Sequence, residues 1–212
     1  MRINMINGSQ KTGKSNTGII LKYLNYFLKN KSNVKIFNCG NKPFPDETFR
    51  EIVSADVIIL AFPLFVYSMP SNTLEMLIKL ESVIKQEKAG NLIIYTIINN
   101  GFYEGKQNNI AFEIINNWCG RSGVKFGGGI GQGAGEMLGR VNIPLDKGPF
   151  KNLYKNLQKL AETVLLKKTF GIVFLNPFFP RFLWKIMAVR FWKTKAKNNG
   201  LSKKDISRIV EY

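Results

Sequence analysis

Two hydrophobic patterns alternate along the chain. Compact segments rich in Ile, Val and Phe lie at residues 2–6, 33–37, 57–61 and 91–98, and a glycine-rich one with Phe126 lies at 125–129. Between them run longer stretches with apolar positions three and four residues apart, at residues 15–28, 46–53, 71–84, 108–120 and 151–166. In the first of these, Ile20, Leu24, Phe27 and Leu28 keep helical spacing and share a face. The run at 57–61 is apolar throughout, which suits a parallel strand buried on both faces. Five strands with helices between them predict an α/β protein: a doubly wound, five-stranded parallel sheet with right-handed crossovers. No internal repeat or low-complexity segment breaks the alternation.

The first strand-to-helix connection is the most informative loop. A polar, glycine-containing loop at a helix start presents backbone N–H groups and partial positive charge, and so suits a phosphate. Two phosphate loops fit its letters. Gly8-Ser9-Gln10-Lys11-Thr12-Gly13-Lys14-Ser15 satisfies the nucleotide P-loop pattern G-x-x-x-x-G-K-[ST]. That reading needs an apolar strand ending in a carboxylate for magnesium. The segment at 57–61 ends in Phe62-Pro63, the one at 91–98 in Asn99-Asn100, and Asp56 stands at the wrong end. The alternative is a flavin mononucleotide (FMN) loop. In it Ser9, Ser15, Asn16 and Thr17 face a phosphate monoester, with charge from Lys11 or Lys14 and no metal. The same residues would also serve as plain helix caps.

A second loop bears on the choice. Pro63-Leu64-Phe65-Val66-Tyr67-Ser68-Met69-Pro70 follows the buried third strand and is apolar and aromatic, which suits a flavin ring better than a triphosphate. With the Gly-Ser…Ser-x-Thr loop before it, this stretch resembles the flavodoxin-like NAD(P)H-dependent FMN reductase family. The resemblance covers roughly residues 1–165. It implies a flavodoxin-like sheet of order 2-1-3-4-5 and places Pro63, Leu64, Phe65, Val66, Ser68 and Met69 along the flavin. A third loop, after the fourth strand, would take the flavin's other side with Asn100, Gly101, Phe102 and Tyr103. The resemblance further implies hydride transfer from NAD(P)H through FMN to a quinone, nitro compound, free flavin or similar small acceptor. No side chain would act as acid or base, and the family commonly forms homodimers.

Composition narrows the alternatives. The chain of 212 residues has room for one α/β domain and an extension. It contains no histidine, so His-based triads and most zinc sites are excluded, whereas a flavin enzyme loses nothing because the cofactor carries the chemistry. Cys39 and Cys119 are far apart in sequence and read as buried thiols, with neither a disulfide framework nor a metal site. The first residues lead straight into a strand, giving the expectation of a cytoplasmic protein without a signal peptide. The net charge of +17 argues against a flavodoxin-type electron carrier, which usually offers an acidic face.

Two further segments stand out. Residues 127–136 are dense in glycine, and backbone crowding at a strand end is favoured over a mobile loop near the flavin. Residues 150–212 hold 14 Lys or Arg against 3 Asp or Glu. The division expected is a flavin-binding domain at 1–168 and a basic, aromatic C-terminal extension at 169–212. The charges within residues 170–192 rule against a membrane-spanning helix. Packing over the flavin site or a dimer partner is the favoured reading; contact with an anionic membrane surface and contact with nucleic acid are the others, nucleic acid being the weaker. Residues 193–212 read as a polar helix with Ser202 as its cap.

Overall fold

The computed structural model describes residues 1–11, 13–40, 44–140 and 143–208, and divides into two compact units, Met1–Pro177 and Phe178–Tyr212. The first unit is a parallel sheet of six strands: β1 (Arg2–Asn7), β2 (Asn33–Asn38), β3 (Val57–Pro63), β4 (Ile93–Asn99), β5 (Lys125–Gln132) and β6 (Gly171–Leu175). Their spatial order is β2-β1-β3-β4-β5-β6. The helices are α1 (Asn16–Leu28), α2 (Asp46–Val53), α3 (Ser71–Gln86), α4 (Asn109–Ser122) and α5 (Lys151–Leu165).

Alternation along the strands feeds two cores. Val57, Ile59 and Ala61 of β3 and Ile93, Tyr95 and Ile97 of β4 pack with Ile20, Leu24, Leu157 and Val164 of α1 and α5. Ile58, Leu60 and Phe62 of β3 and Ile94 and Ile98 of β4 pack with Phe49, Leu77, Leu80, Phe112 and Trp118 of α2, α3 and α4. Central strands are therefore covered on both sides, which is why their sequence is apolar without a break.

One expectation changes. The sheet has six strands, not five, because Gly171–Leu175 pairs in parallel with β5 from Gly128↔Gly171 to Gln132↔Leu175. The first compact unit, Met1–Pro177, takes in this strand. The glycines of β5 explain the addition. Gly127 is the extra residue where the ladder steps from Ile94↔Phe126 to Tyr95↔Gly128, and a Cβ there would lie 2.5 Å from the Tyr95 ring. At Gly128, with φ of +93°, a Cβ would meet the Gly171 carbonyl oxygen at 2.0 Å. The glycine-dense segment is thus a bulged strand whose neighbours approach its bare backbone, in line with the crowding reading.

The second unit contains α6 (Arg181–Asn198) and α7 (Lys203–Ile206). The polar helix expected over 193–212 is divided: α6 starts earlier, after Pro180, and Gly200 with φ of +76° breaks the chain before α7. Ser202 does cap α7, in a reciprocal box with Asp205. Residues 209–212 of the expected helix lie outside the described residues.

Candidate functional site

The carboxyl ends of the strands carry a row of amides. Each ladder continues past its last apolar residue into a polar one: Asn7 in β1, Asn38 in β2, Asn99 in β4 and Gln132 in β5. Asn7, Asn99 and Gln132 are buried. The Asn7 side-chain amide donates to Asn38 Oδ1 at 3.0 Å, and the Gln132 amide donates to the Gly133 carbonyl at 2.6 Å. Sequence reasoning missed this row because it stopped β1, β2 and β4 at the last apolar residue and β5 at Gly129, three residues short of Gln132. An Asn stands immediately beyond the apolar run of each of those first three strands.

The first loop rests on that row. The Gly8 N–H donates to the Ala61 carbonyl at 2.7 Å, and Thr73 Oγ1 donates to the Gly8 carbonyl at 2.9 Å. A Cβ on Gly8 would stand 2.5 Å from Thr73 Oγ1, so the loop passes too close to α3 for a side chain. Ser9 is buried; its N–H donates to Asn7 Oδ1 at 3.2 Å and its Oγ accepts from the Lys11 N–H at 3.3 Å. Ser15 is the N-cap of α1, its Oγ accepting from the Gly18 N–H at 3.0 Å. Asn16 Oδ1 accepts from the Gly139 N–H at 3.1 Å. Thr17 is buried, and its hydroxyl donates to Asn99 Oδ1 at 2.9 Å. These side chains are spent on holding the loop. What they leave for an anion are the N–H groups of Asn16 and Thr17 at the start of α1, which lack intrahelical acceptors, and the exposed cations Lys11 and Lys14.

The second loop is a tight turn. Phe65 and Ser68 exchange backbone hydrogen bonds of 2.9 and 2.8 Å around Val66 and Tyr67, both in the left-handed region with φ of 47° and 59°. Val66 stands at the tip, 95% exposed, while Met69 turns back into the core. Pro63 and Leu64 are half-buried, and the Leu64 N–H donates to the Asn99 carbonyl at 2.8 Å. A β-branched residue in the left-handed region is strained, and such strain collects at ligand-binding loops.

The third loop meets the second. The rings of Tyr67 and Phe102 stack with centroids 5.7 Å apart and planes 19° from parallel. Asn100 is buried; its side-chain amide donates to the Glu104 carbonyl at 3.1 Å, and its Oδ1 has no hydrogen-bond partner. The loop after β5 backs this one, with the Gly135 N–H donating to the Asn100 carbonyl at 2.6 Å. Gly101 is exposed beside the Glu136 carboxylate, which a Cβ would approach to 3.1 Å. The Tyr103 hydroxyl reaches the Pro177 carbonyl at 3.5 Å.

A cleft of about 950 Å³ opens beside the first loop. Gly13, Lys14 and Ser15 line it at one end, Lys22, Tyr23 and Tyr26 of α1 along its side, and Tyr154 of α5 beyond. Lys14 and Ser15 are the anticipated site residues in its lining, which takes nothing from the second or third loop. Away from this edge, Cys39 and Cys119 are buried, and burial pushes both thiols up to about 12. Among the described residues no cluster of His, Cys, Asp and Glu could hold a metal ion, and no helix is long and apolar enough to cross a membrane.

The residues fit FMN in three respects. The first loop offers an anion its helix-end N–H groups and two lysines, the Tyr67–Phe102 pair offers a flat apolar surface, and Asn100 Oδ1 offers an unsatisfied acceptor beneath the third loop. β3 and β4 end in Pro63 and Asn99, so no carboxylate completes a P-loop.

Strand order, crossover pattern and three loops at the carboxyl edge define a flavodoxin-like α/β fold. No family model and no curated protein matches the sequence. Solved structures do match the fold. An NADH:FMN oxidoreductase in its apo form aligns with 80% of this chain and 91% of its own, at 13% identity and a TM-score of 0.58. A flavodoxin of Streptococcus pneumoniae TIGR4 aligns with 79% of this chain and 99% of its own, at 13% identity and a TM-score of 0.54. An FMN-dependent NADH-azoreductase of Bacillus anthracis, solved with FMN, aligns with 77% of this chain and 99% of its own, at 12% identity and a TM-score of 0.54. At these identities the likeness establishes the fold.

Proposed function

We propose that the chain is an FMN-dependent oxidoreductase that takes a hydride from NAD(P)H and reduces a small acceptor such as a quinone, nitro compound or free flavin. One observation carries this reading: three loops lock together where the strand order reverses between β1 and β3. Thr17 joins the first to Asn99, Leu64 joins the second to Asn99, and Tyr67 stacks on Phe102 of the third. In open α/β sheets that crevice is the ligand site.

Bound FMN would supply the hydride chemistry. The first loop would hold its phosphate through backbone N–H groups, with Lys11 or Lys14 adding charge. Tyr67 and Phe102 would pack against the ring, and Asn100 Oδ1 would accept a hydrogen bond from its edge. NADH:FMN oxidoreductase and NADH-azoreductase activities among proteins of this fold support the nicotinamide donor. Assembly as a homodimer belongs to the same reading.

The deciding experiment is the visible spectrum of the purified protein, with FMN and then NAD(P)H added without oxygen. Flavin bands that bleach with NAD(P)H are expected. Binding without bleaching would replace the reductase by an electron carrier, and no flavin binding would overturn the reading. Lys14→Ala should cost little FMN affinity, whereas a P-loop protein would lose nucleotide binding.

A further inference from the structure

The second unit is unusual in charge and exposure together. Residues 178–204 carry eight lysines and arginines and no acidic residue. Within α6, Phe182, Leu183, Ile186, Met187, Val189 and Trp192 are all exposed, Phe182 by 64% and Trp192 by 60%, and no residue of the helix is buried. These six side chains spread over roughly 220° of the helix surface, and Trp184 and Phe191 fall in the remaining sector, so the helix has no narrow apolar stripe for a single groove to cover. The polarity instead runs along the axis. Residues 182–192 contain two cations, whereas Lys193, Lys195 and Lys197 crowd the next five positions. The apolar stretch of eleven residues is about 16 Å long, which is roughly the depth of one leaflet's hydrocarbon.

We propose that α6 docks on an anionic lipid bilayer, its apolar end entering one leaflet and its lysines staying among the headgroups. Lys185 and Arg190 have stems long enough to bring their charges back to the surface. Charge complementarity selects this occupant. A second copy docked α6 to α6 would bring like charge, because Arg181–Asn198 holds no carboxylate. Nucleic acid would satisfy the cations, but Leu183, Ile186, Met187 and Val189 are aliphatic and offer neither a stacking face nor a hydrogen bond. Insertion short of crossing agrees with the absence, among the described residues, of a helix able to span a membrane.

The test uses the full chain with phosphatidylcholine vesicles, either pure or containing about 30% phosphatidylserine. Co-sedimentation with the anionic vesicles only is expected, together with a blue shift of tryptophan emission, and affinity should fall at least tenfold between about 0.1 and 0.5 M NaCl. Lys193→Gln/Lys195→Gln/Lys197→Gln should reproduce the effect of salt. Ile186→Ser/Met187→Ser should abolish the blue shift with far-ultraviolet circular dichroism unchanged. The salt series on the unaltered chain decides the matter if either variant loses helix. Equal binding to neutral vesicles, tighter binding to duplex DNA than to vesicles, or a dimer broken by Ile186→Ser/Met187→Ser would each overturn the proposal.

Discussion

The Thr17 hydroxyl donates to Asn99 Oδ1 at 2.9 Å, fastening the first turn of α1 to the last residue of β4. Both residues are buried. Thr17→Val keeps the shape and deletes the donor, leaving a buried amide oxygen short of a partner. The expected cost is about 1–3 kcal/mol, read from urea unfolding. Because the bond spans the first and third loops, FMN affinity should fall as well.

Stacking of Tyr67 on Phe102 gives a prediction with a different balance. Both residues are more than 40% exposed, so Tyr67→Ala should change the melting temperature little. It should weaken FMN binding about fivefold, as expected for loss of one aromatic contact of about 1 kcal/mol. Quenching of flavin fluorescence on titration measures this directly.

Val66 supplies the opposite case, a residue whose removal should help. It is 95% exposed at φ of 47°, so it contributes no packing and bears backbone strain. Val66→Asn, which tolerates the left-handed region, should raise stability by about 0.5–1 kcal/mol in urea unfolding. A loss of stability would mean that the valine methyls contribute something in solution.

Two glycines should respond in opposite directions to alanine. At Gly128 a Cβ would strike the Gly171 carbonyl at 2.0 Å in a left-handed backbone, so Gly128→Ala should cost about 3 kcal/mol or more and free β6. At Gly120, exposed within α4, a Cβ meets nothing, and Gly120→Ala should stabilise by up to about 1 kcal/mol. Hydrogen exchange of residues 171–175 reports the state of β6 in each variant.

Asp56 and Lys167 set a pH dependence. The lysine hydrogen bond at 2.7 Å, followed by the Arg2 N–H at 2.8 Å, holds the Asp56 carboxyl below its usual 3.8. A carboxylate with a lowered folded-state pKa stabilises fully above its unfolded value and loses that contribution as pH falls through the folded one. The pair is more than a third exposed, so its worth is about 0.5 kcal/mol. Asp56→Asn should be less stable by about that amount at pH 7, and the gap should close towards pH 2.

Most of the first unit was legible in the sequence. Apolar runs and helical spacing give strands β1 to β5 and helices α1 to α5; the pattern is strongest in β1, β3 and β4, which are buried on both faces. β6 was hidden for a local reason: Gly171–Leu175 is a short run beside aromatic residues, and what makes it a strand is the bare backbone of Gly128 and Gly131 in β5. Thr17 reads as a phosphate ligand because hydroxyls at helix starts commonly bind anions; only tertiary packing turns it inward to Asn99. Likewise Met69 sits in a loop by sequence and in the core by structure. The contact between Tyr67 and Phe102 joins loops 35 residues apart and leaves no mark in either one.

The amides along the carboxyl edge carry a further implication. Asn7, Asn38, Asn99 and Gln132 are dipoles that neither gain nor lose a proton, the chain has no histidine, and both thiols are pushed to about 12. The side chains that ordinarily change charge between pH 5 and 8 are therefore missing from the floor of the crevice. A ligand resting on those amides therefore meets no floor side chain whose charge changes across that range.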